Sequence, residues 1–146
     1  MMKQLPSKGN VKELIFKDLT SSDAKKNLQL ENKCRKLLRS DEIRFVGVIN
    51  SMGNLIFGEF NACVDLLEND EKRKQFYMQM ALEISMRKDF DDILGKINHI
   101  ITNRNNVLMI AMPINNHVLL ISAKPNSNAK QIIEKTHVLG FFKSEA

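Results

Sequence analysis

Two apolar runs, Arg44-Phe45-Val46-Gly47-Val48-Ile49 and Leu55-Ile56-Phe57-Gly58-Glu59-Phe60, are separated only by Asn50-Ser51-Met52-Gly53-Asn54. Val, Ile and Phe bounded by Asn, Ser and Gly specify two strands and a tight turn, because Gly and Asn supply the positive φ that such turns need. A hairpin this early commits the chain to antiparallel sheet. Ahead of it Leu30, Cys34, Leu37 and Leu38 fall at i, i+4, i+7 and i+8, one apolar stripe on a helix. Thr20-Ser21-Ser22-Asp23 resembles a capping box at its start, and Lys33, Arg35, Lys36 and Arg39 gather toward its end, where the helix dipole favours cations.

After the hairpin, Asn61 to Asp70 reads as an acidic, irregular connection in which Val64, Leu66 and Leu67 form a short turn against the core. Glu71 to Leu94 holds neither Gly nor Pro and is rich in Met, Leu, Glu, Lys, Arg and Gln, which predicts one continuous helix ended by Gly95. Its apolar residues form two stripes: Tyr77, Met80, Ala81 and Ile84, and then Met78, Leu82, Met86 and Phe90 at i, i+4, i+8 and i+12. A helix that is apolar on two sides must be covered on two sides, and one sheet covers only one. A partner subunit is the expected second cover.

Three more strand-like runs follow, Ile97 to Thr102, Val107 to Ile114 and His117 to Ala123, linked by Asn103-Arg104-Asn105-Asn106 and Asn115-Asn116. Within the last two, Val107-Leu108-Met109-Ile110-Ala111-Met112 and Val118-Leu119-Leu120-Ile121 are continuously apolar, the mark of strands covered on both faces. Pro125-Asn126-Ser127-Asn128 then caps a helix over Ala129 to Val138 with Ile132, Ile133 and Thr136 inward, and Phe141 and Phe142 fold back onto the core. The expected fold class is α/β (α+β), in the order α-β-β-α-β-β-β-α, with a five-stranded antiparallel sheet flanked by helices. Residues 1–19 carry Pro6, Gly9, scattered lysines and a short apolar patch, Leu14-Ile15-Phe16, and read as a partly ordered basic extension to a single domain over 20–146.

Several function classes lose their support at this level. Hydrophobic residues at 43% and charged residues at 27% are those of a globular domain, so global disorder is not expected. No apolar run reaches the roughly 18 residues of a membrane span, and Met1 to Lys8 lacks the apolar core of a signal peptide; the expected location is the cytoplasm. There Cys34 and Cys63 are expected as free thiols. His99, His117 and His137 stand on separate elements without ligand spacing, so no metal is expected, and the absence of G-x-x-x-x-G-K-[ST] and G-x-G-x-x-G loops leaves no cradle for a phosphate-bearing cofactor. Glu83, Asp89, Asp91 and Asp92 are more simply salt-bridge partners of Arg87, Lys88 and Lys96 than catalytic acids, and no G-x-S-x-G elbow is present. The expectation is a non-enzyme. The net charge of +5 leaves a basic face of Lys33, Arg35, Lys36, Arg39 and Arg44 as a candidate partner surface, but the chain has no Trp, one Tyr and no aromatic strand for stacking bases.

The strand Phe45-Val46-Gly47-Val48-Ile49, the turn Gly53-Asn54-Leu55-Ile56, the long helix, and His117-Val118-Leu119-Leu120-Ile121-Ser122-Ala123 leading into the last helix resemble the roadblock / dynein light chain family over about residues 24 to 140. That family belongs to the wider profilin-like group, which includes longin domains. The first strand is also similar to that of small uncharacterised archaeal proteins. The resemblance implies a non-catalytic scaffold or a regulator of small GTPases. It further implies a homodimer in which the central helices and third strands of two subunits meet, which places Met78, Met80, Leu82, Ile84 and Met86 beside Ile97, His99 and Ile101 at the contact. Two other readings stay open: a sensor of PAS-like or profilin-like topology with a small ligand between sheet and helices, and a nucleic-acid binder using the basic face.

Overall fold

The computed structural model describes residues 21–62 and 69–142. The basic extension expected over 1–19, the cap at Thr20, Cys63 and the turn around Val64, Leu66 and Leu67 lie outside the described residues. Helix α1 (Ser21–Leu37) leads into strands β1 (Ile43–Asn50) and β2 (Leu55–Phe60), and helix α2 (Asp70–Arg87) follows. A 3-10 turn (Lys88–Phe90) and the short helix α3 (Asp91–Leu94) then lead to β3 (Ile100–Asn103), β4 (Leu108–Ile114), β5 (His117–Ala123) and α4 (Ala129–Val138). The strands form one antiparallel sheet in the order β2-β1-β5-β4-β3.

The first turn forms as its residues dictate. The Asn50 side chain accepts from the backbone N–H groups of Met52 and Asn54, each at 2.9 Å, and Gly53 takes φ +85°. Between β4 and β5, Asn115 takes φ +53°, the conformation that a two-residue loop needs. Asn128 caps α4 by accepting from the N–H of Gln131.

Each face of the sheet carries its own core. On one face Val46, Val48, Ile110, Met112, Leu119 and Ile121 pack beneath α1 and α4, which contribute Cys34, Leu37 and Ile132; Phe141 closes that cluster, as the sequence predicts. On the other face Phe45, Ile49, Ala111, Val118 and Leu120 pack against Tyr77, Met80, Ala81 and Ile84 of α2. The centres of β4 and β5 are apolar at every position because both their faces are covered.

Two boundaries differ from expectation. The helix predicted to run unbroken over Glu71 to Leu94 gives way to a 3-10 turn at Lys88. Ile84 is the last buried residue of α2, and neither the 3-10 turn nor α3 buries any, so no packing holds the final turns in register with the sheet. Gly95 ends α3 at φ +86°. The strand predicted from Ile97 starts only at Ile100, which pairs with Ala111. Extending it backward would oppose it to Pro113, which has no N–H to donate to the ladder.

Candidate functional site

α2 carries the feature with the clearest functional meaning. Asn69 caps it by accepting from the N–H of Lys72 at 2.8 Å, and Asp70 and Glu71 fill the first turn, favourable at the positive end of the helix dipole. Its inner stripe is spent on the sheet. Its outer stripe is bare: Met78, Leu82, Met86 and Phe90 are 57–62% exposed, and Ile93 and Leu94 just beyond are about four-fifths exposed. A line of large apolar side chains in water is costly unless something covers it.

The eight residues expected at a subunit contact separate into three groups. Met78, Leu82 and Met86 lie on the bare stripe. Met80 and Ile84 face the opposite way and are buried in their own chain against β1 and β5, so they are not available to a partner; at 3.6 residues per turn the two stripes cannot share one side of the helix. Ile97, His99 and Ile101 lie on the far face of the sheet. Ile101 pairs with Ile110, which belongs to the α1 and α4 core, whereas Ile100 beside it packs with α2. Strand alternation therefore turns Ile101 away from α2.

The five basic residues do not form one face either. Lys33 Nζ donates to the Gly140 carbonyl at 2.9 Å, and Arg35 pairs with Glu31 at 2.8 Å and with Glu59 at 3.4 Å while lying over the Phe57 ring. Lys36 and Arg39 are exposed on α1. Arg44 lies in the irregular step of register between Ile43 and Phe45 and lines a cleft beneath α2 with Phe45, Phe60, Arg73 and Tyr77. That cleft is on the other side of the sheet from α1. Arg73 stands over the Phe60 ring and is paired with Asp70. Further along α2, Arg87 pairs back with Glu83 at 3.0 Å.

The space for a ligand between sheet and α2 is small. The Arg44 cleft measures about 40 Å³, room for little more than a water molecule. A larger groove of about 430 Å³ opens on the opposite face, between α4 and the segment entering β3, with His99 and His137 among its lining residues. His117 stands apart at the start of β5, where burial lowers its pKa. Among the described residues no three or more His, Cys, Asp or Glu side chains are grouped so as to hold a metal ion.

Cys34 is fully buried, and burial, reinforced by nearby Glu31, pushes its pKa up from 9.0 to about 12. The thiolate is the reactive form, so native protein at pH 8 is expected to leave Cys34 unmodified by a thiol reagent over hours, and unfolding in urea to expose it within minutes. Mass spectrometry after each treatment reads this out. A folded pKa above the unfolded one means that this contribution to stability is complete below about pH 9 and is lost as pH rises toward about 12.

The five-stranded order, with two helices on one face and a long helix on the other, defines a roadblock-like domain. The same fold is seen in the roadblock/LC7 domain from Streptomyces avermitilis, 8% identical, with a TM-score of 0.59 over 75% of this chain and 89% of that one. The gliding protein MglB from Thermus thermophilus is likewise 8% identical, with a TM-score of 0.60 over 83% and 93%. An MglB structure with tetrameric arrangement is 10% identical, with a TM-score of 0.61 over 82% and 85%. In sequence, residues 24–140 match DUF6659, a family of unknown function, and the chain belongs to that family. No curated protein matches the chain. No described helix is long and apolar enough to cross a membrane.

Ile93 and Leu94, which the helical pattern of the sequence does not single out, extend the exposed apolar surface past the break at Lys88. The groove beside α4 likewise has no counterpart in the sequence pattern, because it joins residues far apart in the chain. Exposed apolar side chains in a short segment that ends at a glycine are the signal that could have found the first; local pattern carries no signal for the second.

Proposed function

We propose that this chain is a non-catalytic interaction module that works as a homodimer, with the Met78, Leu82 and Met86 stripe of one protomer packed on that of its partner. The bare outer stripe of α2 carries the reading: the described residues leave it exposed, and a two-fold contact between like stripes covers both at once. β3 contributes as an edge strand, through its backbone, while Met80, Ile84, Ile97, His99 and Ile101 have no part in the helix contact. The resemblance to roadblock proteins supports a regulatory or scaffolding role toward a small GTPase, and the MglB structure with tetrameric arrangement is one relative by fold that assembles.

The other two readings draw less support. A sensor needs room between sheet and helices; the cleft beneath α2 is small, which leaves the groove of about 430 Å³ beside α4 as the space such a ligand would take. A nucleic-acid binder needs its cations together, and Arg44 is separated from the α1 cations by the sheet.

Light scattering with size exclusion at micromolar concentration is expected to give twice the chain mass of 16.8 kDa. A monomer at that concentration overturns the dimer. Small GTPases from the same organism, loaded with GDP or with a non-hydrolysable GTP analogue, test the partner class. Nucleotide-dependent binding supports it, and no binding in either state removes it while leaving the dimer standing.

A further inference from the structure

The bare stripe of α2 does not stop where α2 stops. Lys88 still donates its N–H to Ile84, Asp91 to Lys88 and Gly95 to Asp91, so the chain keeps coiling in the same direction through the 3-10 turn and α3. Phe90, Ile93 and Leu94 therefore follow Met86 along the same path, and all three are exposed. At the other end the turn between β1 and β2 lies against α2 at Met78, where a Cβ on Gly53 would stand 2.8 Å from the helix backbone, and the neighbouring Met52 is 75% exposed. Among the described residues, most of the large apolar side chains left in water thus gather along one line, about 24 Å long from Met78 to Leu94.

Area shows that the whole line is needed. Each of these side chains offers on the order of 100 Å², so Met78, Leu82 and Met86 alone present about 300 Å². A stable, specific contact takes about 800 Å² from each partner, which those three do not supply and the full line with Met52 approaches. Its occupant must be as long and as apolar as the line itself, and a second copy of the same line is both. Charge sets the direction. Asp89, Asp91 and Asp92 lie beside Phe90 and Ile93, with an excess of negative charge over Lys88. Two helices laid parallel about a two-fold bring both sets of carboxylates together at one end, a like-charge contact that opposes association. Laid antiparallel about Met86, they hold the two Asp92 residues about 18 Å apart along the seam and set their helix dipoles against each other.

We propose that Phe90, Ile93 and Leu94 form the second half of the subunit contact, in an antiparallel seam centred on Met86. Leu82 then meets the partner's Phe90, and Met78 with Met52 of the turn meets the partner's Ile93 and Leu94. This rests on the dimer of outer stripes and fixes its direction and register.

The test uses the full chain with the photoreactive residue p-benzoylphenylalanine in place of Phe90. Unlabelled and nitrogen-15-labelled chains are mixed, irradiated at micromolar concentration and mapped by mass spectrometry, with the mass in solution read by light scattering on the same sample. Links between chains, from position 90 to residues 78–83 of the partner, are the expected result. Links to residues 88–94 of the partner mean a parallel seam, links within one chain mean that the line is covered by its own chain, and either overturns the proposal, as does an absence of links. A dimeric mass with any of these leaves the dimer standing and removes only this seam, whereas a monomeric mass removes both. Ile93→Asp with Leu94→Asp gives an independent readout, because neither residue is buried in the core. The dissociation constant is expected to rise about a hundredfold or more, while Val138→Asp, at an equally exposed apolar residue away from the seam, leaves it unchanged. An unaltered dissociation constant in the Ile93 and Leu94 variant overturns the proposal.

Discussion

Leu82→Glu is expected to turn the dimer into a monomer at every concentration accessible to light scattering. Leu82 sits at the middle of the bare stripe, one turn from both Met78 and Met86, and is 61% exposed in the single chain. In a two-fold contact each substitution acts twice. It removes an apolar side chain from the seam and buries a carboxylate against the partner's methionines. A buried charge of that kind costs several kcal/mol, so the dissociation constant is expected to rise by about a thousandfold or more.

The folded protomer is expected to tolerate the change. Leu82 belongs to neither core cluster, and substitutions at exposed positions usually shift stability by about 0.5 kcal/mol or less. Ile84→Ala makes the converse case. Ile84 is 3% exposed and packs on the sheet, so its truncation is expected to cost about 2–5 kcal/mol of stability. Urea unfolding and light scattering on the same two variants separate the faces. A dimeric Leu82→Glu protein would show that the stripe is not the contact, whatever the stability measurements give.

The division of α2 into two faces was legible in the sequence because helical periodicity is a local property: Tyr77, Met80, Ala81 and Ile84 fall together at 3.6 residues per turn, as do Met78, Leu82 and Met86. The five strands were legible for a similar reason, since Asn50 to Asn54 and Asn115-Asn116 are turn chemistry that needs no tertiary context. What escaped was set by tertiary partners. The late start of β3 depends on Pro113 of a neighbouring strand, and the break at Lys88 on the absence of packing beyond Ile84. The face on which Ile101 falls follows from its pairing with Ile110, a relation no reading of residues 97–102 alone contains. The supposed basic face failed on the same ground: Lys33 and Arg44 are neighbours in a list of cations but lie on opposite sides of a sheet.

Gly53→Val is expected to be among the most damaging single changes in the hairpin, and its neighbours provide the controls that say why. Gly53 has φ +85°, and a Cβ there would stand 2.8 Å from the Cα of Met78. Two penalties therefore combine. A β-branched residue at positive φ is strained by about 1–2 kcal/mol, and the clash falls on helix backbone, which cannot rotate away as a side chain would. The turn must lift from α2 or the helix must shift, at a total loss of about 2–4 kcal/mol in urea unfolding. Gly95→Ala isolates the first penalty, because Gly95 also has positive φ, at +86°, but nothing lies within 4 Å of its added Cβ. Its expected loss is about 1 kcal/mol. Gly53→Ala should exceed that by the cost of the helix contact alone, and equal losses at the two positions would mean that the turn does not rest on α2. Met78 also opens the bare stripe, so a turn forced off the helix displaces the first residue of the proposed seam. Gly53→Val is accordingly expected to weaken the dimer as well, whereas Gly95→Ala, beyond the end of α3, should lose stability with less effect on assembly.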